Sequence, residues 1–307
     1  FDPNSVPEQM EAYLQDFVAR IQYGIENHIE ADEVTANQWE LVKTTGRLNE
    51  SRSSRSVEPL LTEMWEQGCH YNELCPTFSK VPCGHAEVGC VAVAMSQIIY
   101  YYRYPESGAG SHTNYTEYGA FHVNFAQQHY HYEAMCDELS YYNTEVAKLI
   151  FHCGTAVNMM YQSDGSGAYS GDVPGAMNTY FKYSPDAQHS SKHNYSDEEW
   201  HSMLMEDLQA RRPVYYSGYG ADGGHAFVCD GYNSDEYFHF NFGWGGSGNG
   251  YFLTESTDDE PEAAGGYSFG QSAIFNLHPL EYSYPSYCQE QTITAIDGTL
   301  EDGRGPY

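Results

Sequence analysis

Four short runs near the end of the chain constrain its fold most: "PVYYSGY" (213–219), "HAFVCDGY" (225–232), "EYFHFNFGW" (236–244) and "GYFLTE" (250–255). Each is rich in aromatic or β-branched residues. Glycine or Asn/Asp turns separate them, which is the signature of consecutive antiparallel strands. The chain up to about Tyr102 instead carries helical spacing, and "TEVAKLIFHCGTAV" predicts a further helix over Glu145–Val157. Helices first and antiparallel strands later is the order of an α+β fold.

The 307 residues suffice for a full core in one large domain or two modest ones. Acidic residues outnumber basic ones by 43 to 13, a net charge of −30. That excess argues against nucleic acid and against anionic membranes, whose phosphates it repels. No apolar stretch is long enough to span a membrane. With 41% hydrophobic residues and 29 tyrosines the chain is too aromatic for a disordered acidic polymer.

At the N-terminal end, Ser5 and Glu8 match a capping box. Met10, Tyr13, Leu14, Phe17, Val18, Ile21 and Ile25 follow at helical spacing as one apolar stripe. "RLNESRSSRS" (47–56) is polar and aperiodic, and reads as an exposed linker open to cleavage. The start at Phe1-Asp2-Pro3 reads as that of a processed or truncated product. The expected organisation is 1–56 as a leading segment with linker, 57–279 as a compact domain, and 280–307 as the polar start of a further module.

Chemistry concentrates around "EVGCVAVAMSQIIYYYRYP" (87–105). Behind Cys90, Val91, Met95, Ile98, Ile99 and Tyr102 share one helical face, and Pro105 ends the run. Gly89 permits a tight entry, so Cys90 sits in the first turn, where orphan amides and the helix dipole favour a thiolate. His225 opens a β-run behind Gly223 and Gly224, a pair that lets another chain come close. Asn241 stands on the next strand, where a hairpin brings its amide beside the imidazole as the third member of a triad. Gln67, upstream in "EMWEQGCHYNELCP", supplies an amide donor for an oxyanion alongside the Cys90 N–H. Taken singly, each residue has a bland structural explanation. The combination points to nucleophilic catalysis.

These segments together, "WEQGxxYNxxCP", "VGCVAVAMSQII", "PVYYSG", "GGHAFVxDGY" and "NFGWGGSGNGYF", resemble the streptopain family of papain-like cysteine peptidases. The likeness is closest to its interpain-type zymogens of Bacteroidales. It runs in order from about Val57 to Pro279. The resemblance implies a papain-like fold of two subdomains, helical on the left and antiparallel β on the right, with 1–56 as a short prodomain acting as an intramolecular inhibitor. It implies Cys90 as nucleophile, His225 as base and acid, Asn241 orienting the ring, Gln67 in the oxyanion hole and Trp244 shielding the His–Asn contact. In "DGSGA" (164–168), Ser166 and Gly167 would line the non-primed cleft, and Gly223 and Gly224 are further candidates for contact with the substrate backbone. The family generally prefers an apolar side chain two residues before the cut. Two departures stand out: Phe242 where the first tryptophan of "NWGWGG" is usual, and His70 where proline is commoner. A secreted, extracellular or cell-surface bacterial endopeptidase acting on proteins or peptides without a cofactor is the expected function.

Other motifs carry less. Cys69, Cys75, Cys83 and His85 have no standard zinc spacing, and the eight scattered cysteines leave room for one or two disulfides. Cys229 reads as core filling, and His122, His129 and His131 as surface histidines. The triplets at Asn49, Asn114 and Asn194 matter only in a secretory eukaryote. Competing functions are another Cys-His-Asn acyl transferase, such as a transglutaminase or amidase, and a non-enzymatic adhesin.

Overall fold

The computed structural model describes residues 56–221, 223–256 and 263–280, together with Lys43. The chain divides into two compact units, Phe1–Arg52 and Ser53–Tyr307, and all that follows concerns the second. The capping box at Ser5, the apolar stripe behind it, nearly all of the 47–56 linker and the segment after Leu280 lie outside the described residues.

Helix α1 (Cys90–Tyr102) is the centre of the unit. Every residue from Val91 to Tyr100 is buried, including Ser96 and Gln97. The sequence suggests a one-sided apolar stripe, but a helix of small and apolar residues all round is instead enclosed on every side. α2 (Thr144–Ala156) packs beside it and starts one residue earlier than the spacing predicts. The reason is its cap: Asn143 Oδ1 accepts from the amides of Glu145 and Val146. α3 (Val173–Phe181) completes this layer. α4 (Asp197–Gln209) is opened by a reciprocal capping box between Ser196 and Glu199.

A two-stranded ribbon joins β1 (His112–Thr116) to β2 (Gly119–Val123). The main sheet comprises β3 (Gln188–Ser191), β4 (Val214–Gly220), β5 (Gly223–Tyr232), β6 (Phe238–Asn241), β7 (Gly250–Phe252) and β8 (Phe269–Phe275). Its order is β3-β8-β4-β5-β6-β7, antiparallel throughout. The four β-rich runs are strands β4 to β7, as their patterning requires. One face of the sheet, through Tyr215, Ala226, Val228 and Ile274, joins the core around α1 and α2. The opposite face, through Tyr216, Phe227, Cys229 and Phe240, packs on Trp200, Leu204 and Leu208 of α4. Alternating residues of β4 and β5 therefore serve two cores, which is why their inner stretches, Val214–Tyr216 and Ala226–Cys229, are apolar on both faces. Cys229 is one of the filling residues.

Cys69 and Cys83 form a disulfide that closes the loop leading to α1. Two of the four candidate zinc ligands are thus consumed. Among the described residues no group of His, Cys, Asp and Glu is placed to hold a metal ion, and no helix is long and apolar enough to cross a membrane.

Candidate active site

The site forms where the N-terminus of α1 meets the upper ends of β4, β5, β8 and β3. Gly89 makes the entry possible. It has φ 88°, a left-handed conformation that side chains resist. A Cβ there would also stand 2.5 Å from Met159 Sδ and 3.1 Å from the Ser166 carbonyl. The amides of Ala92 and Val93 both turn back to the Gly89 carbonyl. That leaves the first-turn amides of Cys90 and Val91 directed at the Cys90 sulfur, joined from across the cleft by the amide of Ala226. Ala226 follows His225, so one strand brings both a donor to the thiol and the imidazole to the same cleft. Cys90, His225 and Ala226 line this cavity of about 520 Å³ with Ser166, Gly167 and Gly224.

His225 is 7% exposed and its Nε2 lies 2.8 Å from the carbonyl oxygen of Phe242. Asn241 does not hold the ring, contrary to the sequence expectation. Its Oδ1 accepts from Gln97 Nε2 at 3.1 Å and the Gly243 amide at 3.1 Å, while its Nδ2 donates to the Glu63 carbonyl at 2.9 Å. Both polar atoms of that amide are thus bonded to α1, to the Gly243 amide and to the segment before Trp65. The ring is oriented by main chain one residue on, where Gly243 turns with φ 67°. This carbonyl fixes a proton on Nε2 and leaves the other ring nitrogen to accept one.

Trp244 stacks on His225, with centroids 4.6 Å apart and planes at 24°. Tyr267 approaches the ring at 5.0 Å and Phe242 stacks on Trp244 at 5.3 Å. The phenylalanine that replaces the usual tryptophan is itself 2% exposed, its ring within 5.8 Å of Phe227 and Phe252. A Cβ on Gly265 would stand 2.4 Å from that ring, so the smaller aromatic is fully enclosed. Trp244 remains 37% exposed and forms the solvent wall of the imidazole.

Burial pushes the Cys90 thiol above its ordinary value, opposed by the three amides at the sulfur. The same cause lowers His225 to about 4, opposed by the Phe242 carbonyl. Desolvation thus disfavours each charge taken alone, and the depressed thiol pKa suggested by the helix N-terminus is not what burial gives. Proton transfer from the sulfur to the ring would create both charges together, where low dielectric strengthens their attraction. Their titration belongs to the pair.

The remaining sequence candidates separate. The Gln67 carbonyl accepts from the Val88 amide at 3.0 Å, which brings its segment beside the entry to α1. Gly167 exchanges both backbone bonds with Met160, at 2.8 and 3.2 Å, so its N–H is already committed. By the alternation of a β-bridge, the backbone groups of its neighbours Ser166 and Ala168 point the other way. Gly224 lines the cleft, with Tyr219 against its Cα. Gly223 does not line it. With φ 114° and open space around it, Gly223 shapes the tip of the β4–β5 hairpin. Sequence reasoning missed the Phe242 carbonyl, Tyr267 and the buried amide of Gln97. Of these, only the Phe242 substitution left a mark in the sequence, and it drew attention to the ring instead of the main chain.

A cysteine in the first turn of a central helix, sharing a cleft with a histidine on an antiparallel sheet, defines the papain-like class of cysteine-peptidase folds. A family model described as the peptidase C10 family matches residues 65–252. The chain belongs to that family. It is 33% identical over 244 residues to the thiol protease/hemagglutinin PrtT of Porphyromonas gingivalis, a match covering 75% of this chain and 28% of that protein. It is 31% identical over 239 residues to streptopain of Streptococcus pyogenes serotype M28, covering 70% of this chain and 60% of that one. The chain therefore spans less than two thirds of either relative. Among solved structures it is similar to active wild-type interpain A cysteine protease of Prevotella intermedia, with a TM-score of 0.67 and 33% identity, over 75% of this chain and 98% of that one. A prointerpain A fragment matches with a TM-score of 0.64 and 32% identity, over 81% and 85% of the two chains.

Proposed function

We propose that this protein is a cysteine endopeptidase that hydrolyses peptide bonds of protein substrates through a thioester, and that it is made as a zymogen. The observation that carries the reading is the shared cleft of Cys90 and His225 in a chain of this peptidase family. The Cys90 proton passes to His225 as the sulfur attacks the scissile carbonyl carbon. The oxyanion rests on the Cys90 amide and the Gln67 side chain. The imidazolium then gives its proton to the leaving amine as the C–N bond breaks, and water hydrolyses the thioester to release the acid and restore the thiol. The Phe242 carbonyl stabilises the imidazolium through its Nε2 proton. Trp244 keeps water from that bond.

Residues 1–56 act as a prodomain that inhibits the catalytic unit until the 47–56 linker is cut. The division at Arg52 and the likeness to a pro-form support this. Secretion to the outside or surface of a bacterial cell follows the same reading. The test is digestion of a denatured protein under reducing conditions, with counting of new N-termini. Wild-type chain generates them and the Cys90→Ala variant does not. Ammonia release or cross-linking without new N-termini would instead mark another acyl transferase, and activity retained by Cys90→Ala would remove the reading altogether.

A further inference from the structure

Helix α1 carries the nucleophile and, seven residues later, a buried amide. Seven residues are almost two full turns, so Cys90 and Gln97 share a face of α1 with about 10 Å of rise between them. Gln97 is fully buried, yet its side-chain oxygen has no hydrogen-bond partner among the described residues. Its Nε2 donates to Asn241 Oδ1 at 3.1 Å. An amide that gives up water at both ends and regains a bond at only one lowers stability. Leucine or methionine would fill the same place without that loss, so packing alone does not account for glutamine there.

What the bond holds is the environment of the base. Asn241 Oδ1 also accepts the Gly243 amide at 3.1 Å. That N–H belongs to the same trans peptide unit as the Phe242 carbonyl, which lies 2.8 Å from His225 Nε2. A trans peptide is planar with its N–H and C=O opposed, so fixing the N–H aims the C=O. Donation by the N–H also strengthens that carbonyl as an acceptor. Gly243 itself lies directly on α1. With φ 67°, a Cβ there would stand 2.9 Å from Val93 Cγ1 and 4.0 Å from Gln97 Oε1. Val93 and Gln97 follow Cys90 along one helical face. Nucleophile and base are thus referred to a single rigid element, the sulfur at its first turn and the peptide that aims the ring further along it.

Resting on the peptidase reading, we propose that Gln97 is a positioning residue for catalysis: through Asn241 it holds the Phe242–Gly243 peptide so that its carbonyl meets the His225 ring. The test is Gln97→Met in the full chain, which keeps the length of the side chain and removes the donor. Two readouts need no turnover. Iodoacetamide labelling of Cys90 at pH 6 is expected to slow on the order of tenfold, since a misaligned carbonyl no longer supports the imidazolium. Nitrogen NMR of labelled histidines, with His225 assigned by its loss in His225→Ala, should show the ring proton on Nε2 in wild type and divided between the two nitrogens in Gln97→Met. The melting temperature stays level or rises, because a half-paired buried amide is gone. Ser96→Ala is the control. Ser96 is equally buried in the same helix and donates to the Val93 carbonyl at 2.8 Å, so its loss lowers melting and leaves both readouts unmoved. Any cover of the cleft by the leading unit slows every chain alike and cancels in the ratios. Wild-type labelling and ring signals in Gln97→Met overturn the proposal. So does a change that appears equally in Ser96→Ala, or a Gln97→Met chain that no longer folds. Cleavage is scored apart. An absence of peptide-bond hydrolysis by the wild-type chain, with labelling still dependent on Gln97, contradicts the peptidase reading and leaves the positioning role in place.

Discussion

At the scale of single residues, main chain takes a part that a side chain was expected to play. Asn241 is a natural triad member on sequence grounds, yet its amide ties three segments together while the Phe242 carbonyl faces His225. Removing it should therefore cost stability before chemistry. Asn241→Ala is expected to lower unfolding free energy by about 2 kcal/mol, the range for stranded buried partners. A variant that loses activity with an unchanged melting temperature would restore the side-chain role. Glu63 offers a second residue-level outcome. It is 2% exposed, and burial, with help from Asp230 and Asp137, raises its pKa to about 8. A carboxyl held protonated in the fold contributes stability in full below its unfolded value near 4.5, and that contribution disappears as pH climbs through 8. Glu63→Gln should then match wild type near pH 4.5 and melt several degrees higher at pH 8.5. Equal melting at both would show that the carboxyl is not held neutral.

Elements place these residues, and two of the placements can be broken singly. Gly89 is both left-handed and pressed against Met159 and Ser166. Gly89→Ala should lower kcat/KM by at least about tenfold by displacing the α1 entry, since misplacement of about 1 Å costs far more than that in positioned catalysis. Unaltered kinetics would contradict the packing. The Cys69–Cys83 bridge spans 14 positions of chain, and closure of a loop that long is worth about 3 kcal/mol. The Cys83→Ser chain should lose about that much and unfold earlier in urea. Much at this scale was legible beforehand. Glycine-punctuated aromatic runs gave β4 to β7, and the apolar run from Val91 gave α1. Cys90 and His225 stood out by their settings at a helix start and behind paired glycines. The disulfide was not legible, because three neighbouring cysteines leave several pairings open. Nor was the meeting of Ser191, Ser217 and Ser272 in the cleft: they stand side by side only because β8 lies between β3 and β4, a topology that local patterning does not encode. A carbonyl that points at a ring leaves no trace in residue identity at all.

Over the whole molecule the same logic sets pH behaviour and latency. His225 and His152 are both held neutral by burial, at about 4 and about 3. Their unfolded values are higher, so the unfolded chain binds more protons below pH 6.5, and stability drops as pH falls from there toward 4. Latency belongs to this scale too: the chain starting at Val57 should turn over substrate faster than the intact 307 residues. Equal rates would leave the leading unit without an inhibitory role. The central claim, that the ring at 225 activates the sulfur at 90, is tested most directly by the pH dependence of iodoacetamide alkylation, read cysteine by cysteine by mass spectrometry. Cys90 is expected to react ahead of every other thiol at pH 6. Its rate should rise with loss of the His225 proton near pH 4, and His225→Ala should move that rise above pH 8. Labelling of Cys90 no faster than the exposed Cys136, or a rise above pH 8 in wild type, would contradict the account.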